Sequence, residues 1–561
     1  MKHINISFAV VASIVLAALT CAAQEQTAAS EPTDPVSANI EKLIGRKRSD
    51  ELKRFYEERN FAPAWSKSEQ TNNDAKELIK AIGASEEHGL NPNLYHKNAI
   101  DQLKISMDSA GDEQKRRFLA EQDILMTDAF FTLSSHLDSG LTNPYFSNAN
   151  QRKPESNTDL VAVLNMALQA HDVADALNRL APQTEEYKRL KEALPKMQEI
   201  AARGSWPTVP PGEKIEPGNT NQRIIAVRRR FEATGFLKPP VQTAAKTKAQ
   251  INEEMMATQD EPGEDYYDEK LKEAMIRFQE KFGLMPDGVI GKRTVQMLST
   301  QPDWHVCQIK INLDRMRALD ELLSKDRYAL VNLPDFTLKI VDDSQEVMKM
   351  KVIVGRVDRK SPLMSDMIRF IVFSPKWHVP TSIAVKDKLP KIKEDPSFIR
   401  RQGMKVYTTG PTGIEEIDPE NVDWESVDAQ NFTYRIVQAS GDANALGRVK
   451  FMFPNRHDVY LHDTPTKYLF NRCQRTYSSG CIRIADPIGF AKFLLKDKEE
   501  WDSERIDSSM KRATPLFVNL DEHLPIYILY LTAWADEEGN PVFRQDVYGF
   551  DQKLSKQFCT P

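Results

Sequence analysis

The sequence has few cysteines and no excess of positive charge. Only 5 of its 561 residues are cysteine, which excludes the small secreted scaffolds whose stability depends on several disulfides. Its 75 lysines and arginines are outnumbered by 81 acidic residues, giving a formal net charge of −6. Because binding to nucleic acid needs a basic surplus to neutralise phosphates, we expect no nucleic-acid partner.

Long apolar runs are missing beyond the N-terminus. Lys2 precedes a mostly apolar run from Ile6 to Thr20, which is followed by the small residues Cys21-Ala22-Ala23. This pattern predicts a cleavable secretory signal over residues 1–23, and the alternative is an uncleaved anchor. The run is short for a bilayer span, and no later stretch is apolar enough for one. We therefore expect no transmembrane span after removal of the signal.

Four cysteines follow the predicted signal: Cys307, Cys473, Cys481 and Cys559. An exported protein that depends on disulfides usually carries more cysteines, in matched pairs. A thiol kept for chemistry fits this count better. We expect Cys473 to be free, because a bridge to Cys481 would silence the most reactive candidate.

A chain of this length exceeds one hydrophobic core and predicts three or four domains. Residues 24–37, rich in Ala, Thr, Glu and Pro, predict a flexible tether. Apolar residues at helical spacing predict a helical scaffold domain over residues 38–204, where we find no catalytic constellation. Four prolines and two glycines then predict a linker over residues 205–218.

Two helical phrases follow in residues 219–300, and the second reads FQEKFGLMPDGVIGKRTVQML. The spacing of their aromatic residues, among them Phe231 and Phe278, predicts that these side chains form a core. Residues 238–264 between the phrases are polar and longer than a compact helix connection, so they predict an inserted loop.

The pattern changes from helix to strand at about Tyr328. Short β-branched runs separated by turn residues predict a mostly antiparallel β domain over residues 305–545. Residues 376–380 are included among its strands, and its last strands are placed at residues 526–535 and 541–543. A charged, irregular interval at about 381–447 is too long for a simple connection within a sheet. Residues 546–561 are left as a C-terminal tail.

One stretch carries the chemistry, from Val459 to Pro487: VYLHDTPTKYLFNRCQRTYSSGCIRIADP. Since a free thiol is mostly protonated at neutral pH, a nucleophilic Cys481 needs a base, and His462 can be brought alongside it by the loop. Gly480 permits a tight turn that aims backbone N–H groups at a developing oxyanion. Arg483 offers a planar fork for a carboxylate, with a surface ion pair as the alternative.

This stretch resembles the signature of the L,D-transpeptidase (YkuD-type) family, in which a strand with His precedes a loop that ends in Ser-x-Gly-Cys-x-Arg. It departs from the family at Ser479, where a histidine is usual, and the role of Ser479 is left open. The resemblance implies that the Cys481 thiolate attacks a peptidoglycan tetrapeptide stem between diaminopimelate and the terminal D-alanine. Release of D-alanine and transfer to a second stem would give a 3-to-3 cross-link, without any cofactor.

Other parts of the chain carry further resemblances. The phrase over residues 269–299 resembles a peptidoglycan-binding module, and residues 38–204 resemble, less specifically, the scaffold of the large periplasmic L,D-transpeptidases. In those proteins a capping subdomain covers the active site, which implies such an insertion at about 381–447. The resemblance therefore implies a multidomain α+β fold, peptidoglycan stem peptides and glycan as partners, and a periplasmic location at the cell wall.

Further residues complete the predicted site. We expect Arg483, Ser478, Ser479, Tyr460 and Trp377 to contact substrate, with ordinary strand packing as the alternative for the aromatic residues. A zinc site would take as ligands His457, His462, Asp463 and Cys481. We predict no metal, because residues 457 and 462 would point to opposite faces of one strand.

Three alternatives to transpeptidation stay open at this point. Water as the acceptor would make the chain a carboxypeptidase or cross-link hydrolase. A lysine of an envelope protein as the acceptor would make it an anchoring enzyme. The remote alternative is a non-catalytic wall-binding protein.

Overall fold

The computed structural model describes residues 35–45, 49–142, 158–238, 263–320, 324–410 and 413–559. The predicted signal, most of the predicted tether and most of the predicted inserted loop lie outside these residues. Within the tether prediction, Pro35 to Ser37 are described, and they begin helix α1 (Pro35–Ile44) instead of a flexible segment. None of the helices in the described ranges has a stretch long and apolar enough to span a membrane.

The described residues divide into two compact units, residues 35–76 with 98–128 and residues 77–97 with 129–559. The first unit contains α1, α2 (Asp50–Glu58), the short strands β1 (Ser66–Lys67) and β2 (Gln70–Thr71), and parts of α3 (Asn73–Ala84), α4 (Lys97–Met107) and α5 (Asp112–Ser139). Its centre is the buried carboxylate of Asp123, which accepts hydrogen bonds from the Tyr56 hydroxyl at 2.7 Å and the Trp65 N–H at 2.8 Å.

The second unit continues with helices and then changes to strands. Its helices before the β domain are α6 (Leu160–Ala170), α7 (Val173–Leu180), α8 (Glu185–Ala202), α9 (Arg223–Ala233), α10 (Glu269–Lys281), α11 (Lys292–Leu298) and α12 (Pro302–Arg317). Helix α12 packs against α8.

Helices α9, α10 and α11 form a small helical module over residues 219–300. The rings of Phe231 and Phe278 are buried with their centroids 5.4 Å apart. The predicted core role of these aromatic residues is confirmed. A bridge between Ile215 and Ile290 joins the preceding segment to the module.

The β domain is built on a nine-stranded sheet. Its strands are β3 (Tyr328–Asn332), β4 (Thr337–Asp342), β5 (Gln345–Gly355), β6 (Met364–Phe373), β11 (Val449–Met452), β12 (Leu461–His462), β13 (Thr476–Ser478), β14 (Ile482–Ile484) and β15 (Leu516–Leu529). They lie in the order β13-β5-β14-β12-β11-β6-β15-β3-β4. Because β4 also pairs with β5, the sheet closes on itself. The predicted mostly antiparallel domain is confirmed, with parallel pairs at β12–β14, β13–β5 and β15–β3.

A separate subdomain, the cap, is inserted between β6 and β11. It holds a four-stranded sheet in the order β7-β10-β8-β9, formed by β7 (Trp377–His378), β8 (Met404–Gly410), β9 (Gly413–Ile417) and β10 (Arg435–Gln438), together with α13 (Leu389–Glu394) and α14 (Phe398–Arg401). Buried residues such as Ile392, Val406 and Trp424 give it a core of its own. The predicted capping insertion is confirmed. However, β7 pairs with β10, so assigning residues 376–380 to the main sheet was wrong.

The end of the chain also differs from the prediction. After α15 (Pro487–Leu494) and α16 (Ser503–Met510), β15 already begins at Leu516. Strand β15 and the hairpin of β16 (Ala533–Ala535) and β17 (Pro541–Phe543) are separate. The predicted single strand over 526–535 was wrong because Tyr530 to Thr532 leave the ladder.

The predicted C-terminal tail forms helix α17 (Phe550–Phe558), which packs against α12. Two links hold it there: a buried ion pair of 2.7 Å between Arg315 and Asp551, and a disulfide between Cys307 and Cys559. The expectation that the thiols are not used for disulfides was wrong for these two cysteines. Cys473 and Cys481 are free.

Candidate active site

Two short adjacent strands hold the centre of the predicted site. Strand β12 runs parallel to β14, with His462 directly opposite Arg483. Cys481 immediately precedes β14. The loop after His462 therefore brings the chain back beside β12, the strand that carries the histidine. The sequence separation of the histidine and the cysteine is therefore compatible with one site.

A cleft of about 790 Å³ lies between this part of the sheet and the cap. The predicted site side chains that line it are those of Cys481, His462, Arg483, Ser478, Ser479, Tyr460 and Trp377. Gly480 lies between two of these residues in the chain. The fold thus brings the predicted residues together, with Trp377 contributed by strand β7 of the cap.

The Cys481 thiol is held among several polar neighbours. Burial raises its pKa, while hydrogen bonds from the backbone and the hydroxyl of Tyr460, together with the nearby cations Lys450 and Arg483, act to lower it. The thiol also lies 3.7 Å from the Asp458 carbonyl oxygen. Its reactivity therefore depends on how far these neighbours offset the cost of burying a thiolate.

The ring of His462 is buried and neutral. Burial, followed by the positive charge of Arg483, lowers its pKa to about 3. Its Nδ1 lies 2.5 Å from the Asp463 carbonyl oxygen, which can only accept, so Nδ1 carries the proton and Nε2 is left as the basic nitrogen. A neutral imidazole is the form that can take a proton from a thiol.

The turn before Cys481 is fixed by two buried serines. Ser478 Oγ donates to the Cys481 carbonyl and accepts from the Gly480 N–H at 3.2 Å, and Ser361 Oγ donates to the Gly480 carbonyl at 2.6 Å. Gly480 has φ of +124°, a conformation that favours glycine. Since the Gly480 N–H already has an acceptor, the predicted use of this group in an oxyanion hole would require that bond to be exchanged.

Ser479 is exposed and connects the site to the cap through an arginine. Its hydroxyl accepts a hydrogen bond of 3.2 Å from Arg359 Nη1. Arg359 in turn forms a two-pronged ion pair with Asp387 of the cap, at 2.5 and 2.7 Å. The residue that stands where the family usually has histidine therefore lies beside the contact between the cap and the β domain.

Three basic residues share one register across three strands. Lys450 on β11 is opposite His462 on β12, which is opposite Arg483 on β14, and all three line the cleft. Arg483 Nη1 donates to Thr466 Oγ1 at 3.1 Å, and its Nε is buried without a hydrogen-bond partner in the described parts of the chain. Since the Arg483 side chain lines the cleft, its guanidinium is of a kind and in a place to bind a carboxylate there.

Comparison with known protein families gives three matches along the chain. Residues 326–515 match the L,D-transpeptidase catalytic domain, residues 50–194 match a scaffold domain, and residues 255–298 match a domain described as "Putative peptidoglycan binding domain". The chain carries an L,D-transpeptidase catalytic domain. The predicted family resemblance is thus confirmed for the part that contains His462 and Cys481.

A curated relative agrees with this assignment. The chain is 33% identical over 271 residues to a protein of Haemophilus influenzae named "Putative L,D-transpeptidase". The match covers 47% of this chain and 53% of the relative, so the chain spans about half the length of the curated relative that it matches.

Sequence reasoning missed three residues around the candidate site: Lys450, Arg359 and Asp387. Lys450 lies in a run that was predicted as a strand, but its neighbour across the sheet depends on the pairing register. Arg359 and Asp387 belong to different parts of the fold and meet only when the cap is in place. No local pattern in the sequence indicates either relationship.

Two further histidines, His378 and His457, also line the cleft. Burial lowers the pKa of both rings. Among the described residues, no group of three or more His, Cys, Asp or Glu side chains is placed to hold a metal ion.

Proposed function

We propose that this chain is an L,D-transpeptidase that forms 3-to-3 cross-links between peptidoglycan stem peptides through an acyl-enzyme on Cys481. The observation that carries the proposal is the convergence of Cys481, His462 and Arg483 on one cleft beneath the cap, inside a matched L,D-transpeptidase domain.

The first half-reaction releases D-alanine. The thiol gives its proton to His462 Nε2, and the thiolate attacks the carbonyl carbon that joins the L-centre of diaminopimelate to the terminal D-alanine. The C–N bond breaks, a C–S thioester forms, and His462 returns the proton to the departing amine. Arg483 binds a substrate carboxylate, which holds the stem in line with the sulfur.

The second half-reaction regenerates the enzyme. A side-chain amine of a second stem attacks the thioester carbon, a peptide bond forms and the C–S bond breaks. The proton lost by the amine passes through His462 to the Cys481 sulfur. If water replaces the amine, the product is a tripeptide; if a protein lysine replaces it, the product is an anchored protein.

The polar contacts of the Cys481 thiol and the His462 ring indicate what must change when substrate binds. The Cys481 thiol bonds to Tyr460 and Asp458, whereas His462 Nδ1 donates to the Asp463 carbonyl. Catalytic hydrogen bonds often tighten only when substrate is present. Proton transfer therefore requires the thiol and Nε2 to align as the stem enters.

We place the enzyme in the periplasm, associated with the cell wall. The Cys307–Cys559 disulfide is typical of an oxidising compartment. The domain with the peptidoglycan-binding description supports the same substrate and location. The predicted secretory signal would deliver the chain there.

Mass spectrometry of products from purified protein and disaccharide-tetrapeptide tests the proposal. We expect dimers linked 3-to-3 and free D-alanine from the wild type, and neither from Cys481→Ala with unchanged thermal unfolding. Cys473→Ala is the matched control, because it removes the other free thiol of the described residues, and it should retain activity. If the product is a tripeptide and no dimer forms, the chain is a carboxypeptidase and not a transpeptidase. Cross-linking by Cys481→Ala would overturn the assignment.

A further inference from the structure

A second cleft lies between the helical module and the β domain. Its volume is about 440 Å³. The module contributes residues 282–285 and 291–294 to its wall, and the β domain contributes residues 472–474 and 544–545. The site is composite, because each domain supplies only part of it.

Two neighbouring side chains of the β domain, Arg544 and Gln545, bond to the module beside this cleft. Arg544 Nε forms a 2.6 Å ion pair with Asp335 of the β domain, and its Nη1 donates to the Lys281 carbonyl of the module at 2.9 Å. Gln545 Nε2 donates to Gln296 Oε1 at 3.2 Å, which adds a second link. The two walls are therefore held in register without a ligand.

The second cleft has a basic edge, and we call it the basic cleft. Lys292, Arg293 and Arg472 are exposed and line it, and none of the three has a carboxylate within ion-pair distance among the described residues. Asp287, which also lines the cleft, is held by Gln279 Nε2 at 3.1 Å and by the Val289 N–H at 2.9 Å. Because the chain as a whole carries a net charge of −6, three unpaired cations at one cleft favour an anionic ligand.

Tyr477 connects this cleft with the one around Cys481. Its side chain lines both cavities and is 41% exposed. It directly precedes Ser478, which fixes the Cys481 turn. An extended peptide lying in the basic cleft can therefore continue past the tyrosine ring towards the thiol.

We propose that the basic cleft binds the carboxylate-bearing stem peptides of peptidoglycan, with Lys292, Arg293 and Arg472 contacting the carboxylates and Tyr477 marking the path to Cys481. This inference rests on the proposed function, since it assigns the same polymer to a second site. It gives the matched peptidoglycan-binding domain a defined surface and makes the catalytic domain part of it.

Pelleting of the full-length protein with purified diaminopimelate-type sacculi tests the inference. Arg293→Glu/Arg472→Glu should reduce retention about tenfold, a factor equivalent to about 1.4 kcal/mol. The matched control is Lys270→Glu/Arg512→Glu, which makes the same charge change at exposed positions on the module and the β domain outside the cleft. The control should pellet within about twofold of the wild type.

A second arm separates the stem peptide from the glycan. An amidase removes the stem peptides from sacculi. The wild type on these stripped sacculi should be retained about as weakly as the cleft variant on intact sacculi. Equal retention of the wild type on stripped and intact sacculi would overturn the stem-peptide assignment. Equal retention of the cleft variant and the wild type on intact sacculi would overturn the site itself.

A third arm distinguishes failure of this inference from failure of the proposed function. Alkylation of Cys481 by iodoacetamide should proceed at the same rate in the cleft variant and the wild type, which shows that the active-site turn is intact. One outcome is that the wild type forms no cross-links while the cleft variant is still retained less than the wild type. In that case the proposed reaction fails and the cleft assignment stands.

Discussion

Arg359 and Asp387 form a two-pronged ion pair that joins the loop beside the active site to the cap. Arg359 also donates to Ser479, two positions before Cys481. The position of the cap over the cleft is therefore coupled to the turn that carries the thiol. The pair is only partly exposed, so solvent screens it less than it screens an ordinary surface pair.

We predict that Asp387→Asn loosens the cap. The hydrogen bond from Arg359 lowers the pKa of Asp387, so the pair is fully formed above the usual aspartate pKa and is lost as the pH falls through the lowered one. Hydrogen exchange of residues 381–394 at pH 7 should be a few times faster in the variant, consistent with a loss of about 1 kcal/mol or less.

The matched control for this variant is Asp418→Asn. Asp418 pairs with Arg400 within the cap and has no role in joining the cap to the β domain. Its substitution should leave exchange of residues 381–394 nearly unchanged. Wild-type exchange rates in Asp387→Asn would contradict the idea that this pair holds the cap.

We predict that Lys450 assists ionisation of the Cys481 thiol. Lys450 Nζ lies 5.0 Å from the centroid of the Tyr460 ring, and Tyr460 bonds to the thiol. A nearby positive charge favours the thiolate, so Lys450→Met should raise the pKa of the Cys481 thiol. Alkylation by iodoacetamide at neutral pH should therefore be slower in the variant.

This measurement is best made in a Cys473→Ser background, where Cys481 is the free thiol that remains within residues 35–559 as far as the structure describes them. The control is Lys349→Met, which removes an exposed lysine of β5 away from the cleft. It should leave the alkylation profile unchanged. Equal pH profiles for Lys450→Met and Lys349→Met would show that Lys450 does not act on the thiol.

The sequence predicts those parts of the site whose residues are close together in the chain. His462, Gly480, Cys481 and Arg483 fall within one continuous stretch, so strand period, turn chemistry and family signature are all visible there. The position of Lys450 opposite His462 depends on which strands pair and in what register, and that is decided by the whole sheet.

The fold shows the same division. The strand pattern predicts the β domain and the interruption by the cap, because both change the local periodicity. Helix α17 was missed because its short sequence has few apolar residues and is stabilised by distant partners. Its buried Asp551 pairs with Arg315 and accepts a hydrogen bond from Thr532. The disulfide joins residues 252 positions apart, and spacing alone does not predict such a pair.

We predict that alanine substitution reduces turnover much more at Ser478 than at the adjacent Ser479. Ser478→Ala leaves a buried carbonyl and N–H without their partner, which costs about 1–3 kcal/mol. It should reduce tetrapeptide turnover at least tenfold. Ser479→Ala removes a hydroxyl whose partner Arg359 keeps Asp387, so turnover should change less than about threefold. Steady-state kinetics of the two variants gives the comparison, and equal effects would contradict the assigned structural roles.

We predict that Asp551→Ala strongly destabilises the region around α12 and α17. The substitution leaves the buried Arg315 guanidinium without its carboxylate, a change that typically costs about 3–5 kcal/mol. Hydrogen exchange in α17 should rise steeply, and the unfolding midpoint should fall. Asp507→Ala, which breaks the exposed Lys511–Asp507 pair, is the control and should cost less than about 1 kcal/mol.

The Cys307–Cys559 bond makes a covalent ring of the chain between α12 and the end of α17. The β sheet, the cap and the cleft around Cys481 all lie within that ring. A single proteolytic cut in any loop of the cap or the sheet would therefore leave one molecule of unchanged mass on a non-reducing gel, apart from the added water. Two fragments would separate only after the disulfide is reduced, so the ring keeps a nicked catalytic domain attached to its helical module.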